Sequence, residues 1–93
     1  MANHVLAQMR DAVRASRYLV TFHAEEEMEK DDLKLLDIER AVFTGQIVGR
    51  QIDRKTGERK YLVRGRAIDD GTIIVVVKLN VAGELVIITV YRL

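Results

Sequence analysis

Ninety-three residues carry a net charge of +1, with 48% hydrophobic residues and neither cysteine nor proline. That length suits one small domain, residues 1–93, and the missing cysteine excludes disulfides, thiolate metal sites and cysteine nucleophiles. The first residues, MANHVLAQMRDAV, hold no apolar core of signal-peptide length, and no apolar run is long enough to span a bilayer. The expectation is a cytoplasmic protein with no membrane association.

Residues 4–16 predict an amphipathic helix. Val5, Leu6, Met9, Ala12, Val13 and Ser16 recur at helical spacing, with Asn3 placed to cap it. Tyr18–Phe22 reads as a short strand. Thr21 is placed to cap a helix over 23–31, whose first-turn acids Glu25, Glu26 and Glu27 suit the positive end of the helix dipole. Leu35–Thr44 predicts a further helix, stopped by Gly45. Four strands follow: Ile47–Asp53, Lys60–Ile68, Thr72–Leu79 and Glu84–Arg92. Lys55–Glu58, Asp70-Gly71 and Asn80–Gly83 form the turns between them. Helices first and hairpin-linked strands afterwards predict an α+β fold, with helices on one face of a mainly antiparallel sheet of four or five strands.

Charge is unevenly spread. Residues 23–39 carry eight acids against Lys30 and Lys34, and residues 50–66 carry seven bases against Asp53 and Glu58. Two solvated faces that attract each other would explain this, and so would a basic strand pair facing a polyanion. Strict alternation places Lys60, Arg64, Arg66, Lys78, Thr89 and Tyr91 on the sheet face away from the helices. Leu62, Ile74, Val76, Leu85 and Ile87 share that face by the same count. So many aliphatics on an open face also fit a homodimer or another partner protein.

No metal-ligand or phosphate-loop motif is present: His4 and His23 are far apart, and neither belongs to an HExxH pattern. No cofactor is expected. The remaining set, His23, Lys60, Arg64, Arg66, Lys78, Thr89 and Tyr91, contains the residue types that RNA cleavage by internal attack requires. A base takes the 2′-hydroxyl proton, cations stabilise the charge growing on the phosphate, and an acid protonates the leaving 5′-oxygen. His23 can act as base or acid. It can equally be a solvated helix-start residue, Thr89 a β-propensity choice, Tyr91 an interfacial aromatic, and Arg64 and Arg66 charges that blunt strand aggregation.

Phe22-His23-Ala24 followed by Met28 resembles the HAxxRM signature of domain of unknown function 4258, a family of small bacterial proteins. Asp37-Ile38, Ala41-Val42 with Gly45, Tyr61-Leu62-Val63 with Gly65, and Ile87-Ile88-Thr89-Val90-Tyr91 resemble its later segments in order and spacing, over residues 16–93. The resemblance implies kinship with RelE-like and MqsR-like toxins. Those are small α+β proteins that cleave RNA without a metal and are neutralised by a small antitoxin protein. It points to His23, Arg64, Thr89 and Tyr91 as catalytic, with Lys60, Arg66 and Lys78 left as RNA-binding by their charge. Departures are Glu27 where the signature has arginine, Asp32 for a glycine, Lys34 for a capping serine, and Leu35 and Leu36 at usually acidic positions.

Overall fold

The computed structural model describes residues 2–93, with side chains from His4 onward. The Asn3 cap lies outside the described side chains. Three helices, α1 (Ala2–Arg14), α2 (Phe22–Lys30) and α3 (Leu35–Thr44), combine with strands β1 (Tyr18–Val20), β2 (Gln46–Ile52), β3 (Arg59–Arg66), β4 (Thr72–Leu79) and β5 (Leu85–Arg92). The strands form one sheet in the order β1-β5-β4-β3-β2. All neighbours are antiparallel except β1, which pairs parallel to β5 through Tyr18 and Leu85. The chain is α+β, and its helices pack against the sheet.

The core lies between helices and sheet. Met9 and Ala12 of α1, Ala24 of α2, and Ile38, Ala41 and Val42 of α3 meet Val63, Ile73, Val75, Val77, Leu85, Ile87 and Val90. The α3 helix packs closest. A Cβ on Gly65 would lie 2.1 Å from the Ala41 carbonyl oxygen, and one on Gly45 would lie 2.5 Å from the same atom. Gly45 is extended, with φ −94°, so it is required for space and not for a left-handed turn.

Side chains satisfy the start of α2 and both ends of α3, and backbone amides close the ends of α1 and α2. Thr21 Oγ1 accepts the Ala24 amide at 3.0 Å, as its position predicts. Lys34 provides no side-chain cap. Instead Asp37 reaches back, its Oδ2 accepting the Lys34 amide at 2.7 Å and its Oδ1 accepting the Ile68 amide at 2.8 Å. Asp32 takes a left-handed φ of 53° where α2 ends, a role aspartate fills better than most residues. Arg10 of α1 donates to the carbonyls of Val42 and Gly45, closing the C-terminal end of α3.

One expectation of strict alternation is corrected. Leu85 and Ile87 face the helices and are fully buried. Val76 pairs with Thr89 but Val77 pairs with Ile87, so Ile88 is an extra residue, a β-bulge. The bulge reverses the phase of β5. Leu85 and Ile87 before it and Val90 after it all reach the core, while Val86, Thr89 and Tyr91 lie on the open face. A second bulge at Val48 interrupts β2.

Candidate functional site

The open face is organised by register. Gln46, Arg64, Ile74 and Tyr91 form one cross-strand row over β2, β3, β4 and β5. Gly49, Leu62, Val76 and Thr89 form the next. Arg64 and Tyr91 therefore flank Ile74, on strands about 10 Å apart. Arg64 is exposed, and Ile74 between them is only 5% exposed. Arg66 and Thr72 make a further pair beyond the Arg64 row.

The four basic residues expected here fall into two groups. Lys78 Nζ lies 2.8 Å from Glu58 Oε2, and Lys60 Nζ lies 4.0 Å from Asp53 Oδ2. The Lys78 ammonium holds the Glu58 carboxyl below its ordinary range, chiefly through that hydrogen bond. Asp53 is also lowered, mainly by the backbone amides of Lys55 and Thr56. These two lysines are thus each set beside an acid of the β2–β3 segment. Among the described residues, Arg64 and Arg66 have no acidic partner within 4.0 Å.

His23 is exposed in the first turn of α2. The Thr21 amide donates to Ile87 O and its hydroxyl to Ile88 O, so α2 begins against the edge of β5, level with the bulge. The other end of α2 is tied to the same edge by the Arg92 amide, which donates to Asp31 Oδ2 at 3.1 Å. Arg64, Thr89 and Tyr91 are gathered on one face. His23 stands outside β5, at the opposite side of that strand from Arg64. Glu27 pairs with Lys30 at 3.4 Å along the helix surface.

Sequence reasoning passed over Gln46, Thr44 and Thr72. Together with Val48, Arg64, Gly65 and Arg66 they line a cleft of about 220 Å3 at the C-terminal end of β3. The signal is the cross-strand register, which the sequence does not contain. No group of three or more histidine, aspartate and glutamate side chains among the described residues is placed to hold a metal ion. Among the described residues no helix is long and apolar enough to cross a membrane.

The model of the domain of unknown function family DUF4258 matches residues 20–92. The chain belongs to that family. No curated protein and no solved structure matches it.

Proposed function

We propose that this DUF4258 member is a metal-independent ribonuclease of the toxin type, related to RelE-like and MqsR-like toxins and working on the open face of its sheet. The observation that carries the reading is the row in which Arg64 and Tyr91 flank Ile74, with Thr89 in the adjacent row. A ribose phosphate laid across β4 meets a guanidinium from one side and hydroxyls from the other. Arg64 stabilises charge on the non-bridging phosphate oxygens, and Thr89 donates a hydrogen bond to them. Tyr91 and His23 carry the protons. One takes the 2′-hydroxyl proton as the 2′-oxygen bonds to phosphorus. The bond from phosphorus to the 5′-oxygen breaks, and the other carrier protonates that oxygen. The products are a 2′,3′-cyclic phosphate and a 5′-hydroxyl. Arg66, with Lys60 and Lys78, binds the rest of the strand, and a small antitoxin-like protein is the natural inhibitor.

The test is cleavage of free and ribosome-bound RNA by purified protein. Arg64→Ala and Tyr91→Phe should each slow cleavage by about 100-fold or more. His23→Ala is measured separately, because His23 lies off the row. Intact RNA with the wild type on both substrates removes the reading.

A non-catalytic interaction module is the second reading. Two observations favour it: the aliphatic share of the open face, and the exposure of Leu36 (65%) and Leu35 (44%) at the start of α3. A homodimer joined through the sheet fits this reading. Light scattering that shows a monomer at high concentration counts against it.

A further inference from the structure

We propose that the cleft lined by Thr44, Gln46, Arg64, Arg66 and Thr72 is a phosphate subsite, which holds one phosphate of a nucleic-acid strand beside the one bound between Arg64 and Tyr91. The inference rests on the reading of the open face as an RNA surface, and deepens it by adding Gln46, Arg66 and Thr72, which the reaction itself does not need, beside Arg64. Three observations carry it.

The first is the contrast in charge pairing. Lys60 and Lys78 on the same face each have a carboxylate nearby, whereas Arg64 and Arg66 have none within 4.0 Å among the described residues. These two arginines stand two residues apart on one face of β3, about 7 Å from each other by strand geometry. Like charges so placed repel, and an anion between them removes the repulsion. The second is the set of donors. Arg66 is in register with Thr72 and Arg64 with Gln46, so a hydroxyl and an amide stand beside the two guanidiniums. The Thr72 hydroxyl and the Gln46 amide make no side-chain hydrogen bond among the described residues. Thr44 is already committed: its hydroxyl donates to Arg40 O and accepts the Arg66 amide at 3.0 Å. It forms the wall. Forked guanidiniums plus neutral donors suit a phosphate, whose several oxygens accept at once.

The third is size and position. At about 220 Å3 the cleft is smaller than ordinary small-molecule pockets, which run from about 300 Å3 upward. That size suits one charged group such as a phosphate, with the rest of a nucleotide lying outside the cleft. It opens where β2 begins and β3 runs past it, so a strand crossing the face from Tyr91 to Arg64 reaches it next. An acidic peptide is the competing ligand. A carboxylate offers two oxygens and leaves the extra donors unused.

The experiment is an amide-shift titration of the full chain with three probes: inorganic phosphate, a 5′-phosphorylated diribonucleotide and the same diribonucleotide lacking only its 5′-phosphate. An acidic hexapeptide is the control. The expected shifts centre on Thr44–Gln46, Arg64–Arg66 and Thr72. The phosphorylated probe should bind at least 10-fold more tightly than its unphosphorylated form. Arg66→Ala should reduce that affinity at least 10-fold, Arg66→Lys should restore only part of it, and Thr72→Val should lower it several-fold. For a longer single strand, Arg66→Ala should reduce the salt slope by about 0.7. Equal affinity with and without the phosphate, equal affinity for the hexapeptide, or shifts centred on Lys60 and Lys78 overturns the proposal. Inorganic phosphate binding as tightly as the phosphorylated probe also overturns it, since the site would then take the free ion. The two claims fail separately. Phosphate shifts in the cleft without RNA cleavage leave the subsite and remove the ribonuclease. Cleavage with no shifts in the cleft does the reverse.

Discussion

At the scale of single residues, three positions carry more than their chemistry suggests. Gly65 lets β3 lie directly against α3, and its two neighbours Arg64 and Arg66 point the other way. Gly65→Ala forces backbone apart, because the Ala41 carbonyl cannot move without its helix. The expected cost is about 3 kcal/mol in chemical denaturation. Asp37 is 8% exposed and accepts two backbone amides. Asp37→Ala leaves both without a partner, and should cost about 2–3 kcal/mol by the same measurement. Tyr18 donates to Glu39 Oε2 at 2.6 Å, joining β1 to α3. That bond raises the Tyr18 hydroxyl above its ordinary value of 10.0, with burial adding to the effect. A raised value in the fold means that the stabilisation is complete below pH 10 and is lost as pH climbs through the folded value. Tyr18→Phe should therefore be less stable than wild type by about 1 kcal/mol at neutral pH. The gap should close above pH 10. A gap independent of pH would contradict the bond.

At the scale of elements, the sequence told most where punctuation is local. Thr21 caps α2, the DG pair marks the β3–β4 turn, and all four later strands sit within two residues of where alternation puts them. Two matters were not local. The bulge at Ile88 depends on how β4 and β5 pair, and a count of alternating side chains cannot register it. Strict alternation therefore puts Leu85 and Ile87 on the open face, whereas both are buried in the core. The DG turn also differs in detail. Asp70 is left-handed with φ 68°, and Asp70 N donates to Ala67 O, so the loop spans three residues and Asp70 fills a place glycine often holds. Arg40 holds Asp70 from α3, at 3.1 Å. The end of α3 provides an element-scale test. Arg10 satisfies two carbonyls there, so Arg10→Met, which keeps the apolar stem, should cost about 1–2 kcal/mol. Amide exchange should quicken in the last turn of α3 and not in α2.

At the scale of the whole molecule, sheet order turns a sequence of charge blocks into a spatial polarity. The acidic α2 runs along β5 near one sheet edge, and the basic residues of 50–66 lie on β2 and β3 at the other. The field is thereby positive toward the β2–β3 end and negative along α2. Arg64, Thr89 and Tyr91 were legible as one group because the bulge restores their common face. The cleft was not, since Gln46 and Thr72 reach Arg64 and Arg66 only through pairing register. His23 was legible as a motif residue, but a motif contains no distance. It stands outside β5, while Arg64 lies on β3. The most direct test of the ribonuclease reading is the end chemistry of RNA incubated with the protein and excess chelator. Wild type should leave 2′,3′-cyclic phosphate and 5′-hydroxyl ends, reduced about 100-fold or more by Arg64→Ala. RNA left intact by wild type, or cleaved equally by Arg64→Ala, would contradict it.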